Sequence, residues 1–449
     1  MMEARDIPGP RAPAVLGGLR FAYNPIGYIR WLHRRYGAVG RVRFPGFGLL
    51  VYVAEPELIR EVFTGDPAIY HSGESSATVL EPTVGTSSVL TLDDDPHMRQ
   101  RKLLLPPFHG DNVRRWEATI RAITEQDMQS WPVGRPFPLH PHTRRITLDV
   151  ILRAVFGVRE ASRMEQARTL IEEFARRAHL ITVFRVARRD LGPASPWARF
   201  KRVREALDAW LYDEIERRRS EPDLAERDDV LSLLLCATDE DGAPMSRQEL
   251  RDELVTVIGA GHETTATALA WAFERVLRNP PVLDRLTRSL ADGDDYLDAT
   301  IKETLRIRPV ITDVGRRLTR AVELGPYRIP AGAIVMPGIV GLHFREDLYP
   351  DPDEFRPERF IDHTPGPYTW IPFGGGVRRC IGATFAQFEM RVVMRAILER
   401  AQLRAADARP ERPKLRNITS APRRGCRVVL ERPLLPPDRQ RDGTLRTAA

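Results

Sequence analysis

The sequence predicts a mainly α-helical chain with a small β-region, and three observations carry that reading. A single helical pattern runs from Ser246 to the break at Asn279-Pro280. Residues 111–220 read as successive amphipathic helices, interrupted at Pro132, Gly134 to Pro138, Gly157 and Gly192-Pro193. Period-two alternation is confined to short runs, first at 39–44 and 49–53, which Pro45-Gly46-Phe47-Gly48 joins in a hairpin signal. At 449 residues, length alone suggests two or three domains and also allows one large helical domain.

Taken in order, residues 1–24 form a lead-in, extended at Ile7-Pro8-Gly9-Pro10 by its prolines. Residues 25–36 have helical spacing and stop at Gly37, a C-cap. Glu55-Pro56 opens a short helix through Phe63. Residues 71–90, rich in Ser, Gly, Thr and Pro, read as a loop of the kind that covers binding sites. Asp93-Asp94-Asp95-Pro96 announces a helix on which His97 and Arg101 share a face. Residues 180–186 are an apolar run flanked by arginines. The polar stretches 221–229 and 239–244 read as linkers, the first a mobile surface connection. Ser246-Arg247-Gln248-Glu249 has the form of a capping box. Residues 296–308 make another helix, β-like runs follow at 314–318 and 334–342, and residues 383–398 are amphipathic. Residues 415–430 read as a terminal hairpin, and the polar, proline-rich 433–449 as a disordered tail.

Bulk properties narrow the function. A net charge of +7 is mild and spread along the chain, so it calls for no nucleic acid and suits an acidic protein partner. Three cysteines give no disulfide framework and point to a reducing, cytoplasmic setting. Cys236 and Cys426 lie in apolar runs and read as core or near-core residues. The charged N-terminus lacks a secretory h-region, and no apolar stretch nears the ~20 residues of a membrane span, so no membrane anchor is expected.

Chemistry concentrates at Phe373-Gly374-Gly375-Gly376-Val377-Arg378-Arg379-Cys380-Ile381-Gly382. Here a glycine-rich loop delivers Cys380 to a helix N-terminus, where the macrodipole and two arginines favour a thiolate. With no CxxC and no nearby His, zinc is a poor reading, and a nucleophile or a single axial metal ligand remains. The glycines would let a large flat group approach the backbone. The pattern F-x-x-G-x-R-x-C-x-G resembles the haem loop of the cytochrome P-450 monooxygenases, matching at Phe373, Gly376, Arg378, Cys380 and Gly382. Four further motifs of that family appear in order: H-x-x-x-R at His97 and Arg101, A-G-x-[DE]-T-[ST] at Ala260 to Thr265, E-x-x-R at Glu303 and Arg306, and the P-E-R-F motif at Pro357 to Phe360.

The resemblance implies a single-domain cytochrome P-450 fold over residues 25–432, a triangular prism with haem buried between the long central helix and the cysteine-loop helix. Cys380 would be the thiolate ligand of haem b. His97, Arg101 and Arg316 (preferred to Arg317), with Phe373, Gly374, Arg378 and Gly382, would hold the haem. Ala260 and Gly261 would form the oxygen groove, where Gly261 leaves room and lets the helix kink. Thr264 would hydrogen-bond activated oxygen or an ordered water, and Glu263 would feed protons inward. His262 would be a helix-face residue without a catalytic role. Glu303, Arg306 and Arg359 would form a buried structural triad. Pocket candidates are Val79, Leu80, Leu180, Phe184, Val257, Val310, Ile311 and Ile418.

The implied reaction is NAD(P)H-driven hydroxylation or epoxidation of a hydrophobic molecule, such as a terpenoid, fatty acid or steroid, by a soluble bacterial monomer. Without a flavin or iron–sulfur motif of its own, the chain would draw electrons from a ferredoxin or flavodoxin and its reductase, docked near Arg378 and Arg379. The rivals are a peroxide-driven peroxygenase, disfavoured by the Glu263-Thr264 pair, and a non-enzymatic haem or ligand-binding protein.

Overall fold

The computed structural model describes residues 2–108, 111–158, 160–361 and 363–433. Strand β1 (Met2–Glu3) precedes helices α1 (Ala14–Tyr23) and α2 (Pro25–Tyr36), then the hairpin β2 (Val39–Val42) and β3 (Leu50–Val53). Helix α3 (Pro56–Thr64), strand β4 (Tyr70–His71) and helices α4 (Ser72–Val84) and α5 (Asp94–Leu104) follow. Next come α6 (Asp111–Arg114), α7 (Glu117–Met128), strand β5 (Pro136–Pro138), α8 (His140–Phe156), α9 (Ala161–Val183), α10 (Pro196–Arg219) and α11 (Val230–Cys236). The central helix is α12 (Arg247–Val276), and α13 (Pro280–Ser289) and α14 (Asp295–Ile307) continue from it. Short strands β6 (Arg316–Leu318), β7 (Val322–Leu324), β8 (Tyr327–Ile329) and β9 (Ile334–Pro337) lead to α15 (Ile339–His343) and α16 (Ala383–Arg400). Strands β10 (Ala401–Ala405), β11 (Pro413–Arg416), β12 (Thr419–Pro422) and β13 (Arg427–Pro433) end the described chain.

The β-region is larger than one hairpin. Its main sheet has the order β2-β3-β9-β6-β4, so residues 50–53 pair with residues more than 280 positions later. A second apolar cluster, with Val51, Val53, Ile59, Leu318 and Val335, sits on this sheet, while the main core gathers around α8, α12 and α16.

α12 owes its length to tertiary packing. Ser246 Oγ accepts from the Glu249 N–H and the Glu249 carboxylate accepts from the Ser246 N–H, the expected box. Most of its own residues, polar ones included, are buried, as befits a helix covered on all sides. α8 is its principal neighbour: Thr143 and Thr147 donate to the carbonyls of Ala266 and His262 at 2.9 and 3.0 Å.

Four local expectations are corrected. Residues 14–23 are a helix within the lead-in, despite Gly17-Gly18, because Gly17 fits closely between the Tyr28 hydroxyl and the Arg43 carbonyl. The stretch 71–90 is mostly helix α4, although Pro82 lies inside it. Its weak start is capped from a distance, where the Asp93 carboxylate accepts from the N–H groups of Gly73 and Glu74 at 2.8 and 2.7 Å. The 221–229 stretch is anchored at its end, since Asp229 is buried and accepts from wholly buried Arg218. Cys236 is exposed, whereas Cys426 is buried as expected. The tail expected from 433 lies outside the described residues, save Pro433, which closes β13.

Candidate functional site

The cysteine loop is built against α3. The Cys380 N–H donates to the Phe373 carbonyl at 3.0 Å, and the Gly374 N–H to the Ile371 carbonyl at 3.0 Å. Phe373 meets Trp370 edge to face with centroids 6.1 Å apart. Gly376 has φ +64°, and a Cβ there would stand 2.0 Å from the Phe63 carbonyl oxygen. Gly375 has no room either, since its Cβ would stand 2.3 Å from the Phe63 ring. These two glycines therefore serve the seat on α3. At Gly382, the N-cap of α16, a Cβ would meet nothing within 4 Å, so that side of the loop is open. The expectation of a thiolate made by the helix terminus and arginines alone is not met. Burial raises the Cys380 thiol above its ordinary pKa and outweighs the Gly382 N–H, Arg379 and Arg101. The residue nevertheless keeps exposed surface, next to the open side of the loop at Gly382.

Four cationic or donor groups converge beside this loop. His97 on α5 is 3% exposed, and burial together with Arg378, Arg101 and Arg316 lowers its pKa to about 3. Burial lowers Arg316 and Arg378 to about 10, and each is further lowered by a neighbouring arginine. Arg101 is lowered too, chiefly by burial. Arg378 donates to the carbonyls of Val89 and Leu92 at 3.1 and 2.5 Å and to the Asp93 carboxylate. It is therefore turned inward, and the expectation that it forms part of a docking face is corrected, whereas Arg379 is exposed. Arg316 is buried, while Arg317 pairs outward with Glu74.

Mid-way along α12, residues Val257, Gly259, Ala260, Gly261 and Thr264 are the accessible stretch on an otherwise buried segment. The Thr264 hydroxyl donates to the Ala260 carbonyl at 2.6 Å. Gly261 differs from expectation. A Cβ on it would stand 2.7 Å from Ile151 Cδ1, so the missing side chain faces α8 and allows close helix packing. Glu263 is buried between two arginines, with Arg144 Nε at 2.9 Å from Oε2 and Arg416 Nε at 2.9 Å from Oε1. Burial pushes its pKa up, but the two arginines win and hold it below the ordinary carboxylate value. His262 is buried and bonds the Ile258 carbonyl through Nδ1 at 2.9 Å.

The charge triad is assembled. Arg306 Nε and Nη2 donate to Glu303 at 2.6 and 2.8 Å, and Arg359 Nε lies 3.6 Å from Glu303. Arg306 also donates to the carbonyls of His343, Pro352 and Glu354. His343 Nε2 in turn accepts the Ile371 N–H at 3.0 Å, two residues before Phe373.

The apolar candidates separate into two groups. Leu180, Phe184 and Ile418 are exposed, and His179 and Asn417 bring the end of α9 against the β11–β12 turn. Val79 and Leu80 on α4 are half-buried, and Arg188 ties that helix to α9 through the carbonyls of Thr78, Val79 and Ile181. Val310 is packed in the main core, and Ile311 lies against the second cluster. Sequence reasoning missed the roles of Arg144, Arg416, Asp93 and His343. Each acts through contacts distant in the chain, so no local pattern marks them.

A family model described as Cytochrome P450 matches residues 7–425. The chain belongs to the cytochrome P450 family. Cytochrome P450 135B1 of Mycobacterium tuberculosis is 44% identical over 429 residues, spanning 94% of this chain and 90% of that protein. Cytochrome P450 138 of the same organism is 39% identical over 427 residues, spanning 95% and 96%. Among solved structures, a retinoic acid-bound cyanobacterial CYP120A1 superposes with a TM-score of 0.82 at 24% identity, covering 95% of this chain and 99% of that one. The cytochrome P450DA haem domain gives 0.82 at 21% identity, covering 96% and 98%. The fold is thus that of the P450s, and the chain is a P450 monooxygenase, a class that holds haem through a cysteine thiolate and draws on dioxygen and redox partners. Among the described residues, no helix is long and apolar enough to cross a membrane.

The residues present fit that group. Buried His97 and Arg316, with half-buried Arg101 and Arg378, face few anions of their own, and two propionate carboxylates would supply the missing charge. Cys380, which keeps exposed surface, provides one soft donor, and metal coordination deprotonates such a thiol outright.

Proposed function

We propose that Cys380 would be the thiolate ligand of a bound haem, that His97, Arg101, Arg316 and Arg378 would hold its propionates, and that Glu263 and Thr264 would carry protons towards it. One observation carries the reading: an exposed cysteine adjoins a cluster of one histidine and three arginines, and α16, which it precedes, packs against α12. When bound, haem with a thiolate ligand supplies the oxidising power for inserting one oxygen atom into a C–H bond.

The chain's own residues do the rest. Thr264 already donates its proton to the Ala260 carbonyl, so its oxygen is left free to accept. It can accept a hydrogen bond from a water and so hold that water in place to relay a proton through its other hydrogen. Glu263 sits one residue away, ionised between Arg144 and Arg416. Release from either arginine would let its carboxylate swing between solvent and Thr264, carrying a proton inward. The substrate is a hydrophobic molecule of terpenoid, fatty acid or steroid size, admitted past Leu180, Phe184 and Ile418. Electrons come from NAD(P)H through a ferredoxin or flavodoxin docked near Arg379, and the protein acts as a cytoplasmic monomer.

The test is turnover of NAD(P)H with added redox partners and a panel of such molecules. The reading expects oxygenated product, and Thr264→Ala is expected to keep NAD(P)H consumption while diverting electrons to hydrogen peroxide. Product formed only from added peroxide would favour a peroxygenase. Unchanged coupling in Thr264→Ala would remove the role given to that hydroxyl.

A further inference from the structure

Glu253 lies on α12, about three turns before Thr264, and has no part in the steps above. It is wholly buried. Its Oε1 accepts the Val89 N–H at 2.7 Å, and its Oε2 has no hydrogen-bond partner among the described residues. The charged groups that act on it, Asp252 and Glu249 of the same helix, are both acidic. Nearby cations are committed elsewhere: Arg251 of α12 itself to Asp252 and to Asp208 of α10, and Arg99 of α5 to Glu249 and Asp239.

Segment 85–93 runs between α4 and α5 and is stitched to α12 at successive residues. The Ser87 N–H donates to Asp252 at 2.9 Å, Ser88 and Thr256 share a hydroxyl–hydroxyl bond of 2.7 Å, and Val89 follows on Glu253. The other edge of the segment is held by the cysteine loop. Arg378 donates to the Val89 carbonyl at 3.1 Å and to Leu92 and Asp93. Val89 is therefore gripped on its N–H by Glu253 and on its carbonyl by Arg378.

We propose that Glu253, as a neutral carboxylic acid, is a positioning residue for the haem-propionate contact of Arg378, and that its ionisation loosens segment 85–93. This rests on the reading of Arg378 as a propionate donor. As the neutral acid it accepts the Val89 N–H without placing a charge in a dry site beside two other carboxylates. Burial raises its pKa to about 8, against the pull of the Val89 N–H and with help from Asp252 and Glu249. The folded value lies above the ordinary carboxyl value, so the stability it contributes is complete at low pH and lost as pH rises through about 8.

Two measurements test the proposal on Glu253→Gln, which keeps the acceptor without the charge, and Glu253→Leu, which lacks both. The first is hydrogen exchange of amides 85–93, corrected for intrinsic rates, in protein without haem. Wild type is expected to lose about tenfold protection between about pH 7 and about pH 9, Glu253→Gln to keep it, and Glu253→Leu to lack it at both. Wild-type protection in Glu253→Leu, or the same alkaline loss in Glu253→Gln, would overturn the proposal. The second is the reduction potential of the haem-loaded protein against pH. A shift with midpoint near 8 is expected in wild type and not in Glu253→Gln. Exchange as expected with a flat potential would overturn the link to Arg378, while an intact thiolate signature in the reduced carbon monoxide complex would leave the family chemistry standing.

Discussion

Replacing Arg306 by Met would test how the cysteine loop is held. Arg306 is wholly buried, with its donors on both oxygens of Glu303 and on three carbonyls, those of His343, Pro352 and Glu354. The methionine stem fills similar space but leaves Glu303 with only the Arg356 N–H at 3.0 Å and Arg359 at 3.6 Å. Breaking a buried pair from one side costs about 3–5 kcal/mol. Each carbonyl left dry adds up to about 1–3 kcal/mol, less whatever water recovers. The sum approaches the ~5–15 kcal/mol by which a typical domain is stable. Arg359→Met should cost much less, about 1–2 kcal/mol, because it surrenders one 2.8 Å bond to the Asp351 carbonyl and a longer contact to Glu303. Urea unfolding at neutral pH reads both. A double Glu303→Leu/Arg306→Met protein should recover part of the loss, since no buried charge is left alone. Equal costs for the two arginines, or an Arg306→Met midpoint unchanged from wild type, would refute the argument.

Three other outcomes are expected. His343 is fully buried with a pKa of about 3, below its ordinary value, so its neutral form supports the fold above about pH 6.5; stability should fall as pH drops towards 3, by on the order of 3–5 kcal/mol, and a flat acid limb in urea titrations would contradict this. Glu263→Gln should slow product formation about 10- to 100-fold and raise the solvent isotope effect, and an unchanged rate would assign proton delivery elsewhere. Arg188→Ala frees α4 from the end of α9, so hydrophobic ligands should bind about five- to tenfold more weakly by spectral titration, with unchanged affinity contradicting the bridging role.

Much of the fold was legible because its signals are local. The Ser246 capping box and the break at Pro280 bound α12, and Gly37 and Gly157 end their helices as sequence suggests. Helix α4 escaped notice because its residues are poor helix formers and its N-terminal N–H groups are capped by Asp93, some twenty positions later. The site divides the same way. Cys380, Thr264 and the Glu303–Arg306 pair sit in short motifs, while Arg144 and Arg416 reach Glu263 from other elements, over 100 positions away. Gly261, Gly375 and Gly376 were visible, but their neighbours Ile151 and Phe63, which explain the missing side chains, were not.

The most direct test of the central claim is the absorption spectrum of the reduced carbon monoxide complex in wild type, Cys380→Ser and the Cys236→Ser/Cys426→Ser double variant. The account predicts a thiolate signature in wild type and in the double variant, and its loss in Cys380→Ser. A signature that survives Cys380→Ser, or that disappears with the other two cysteines, would contradict it.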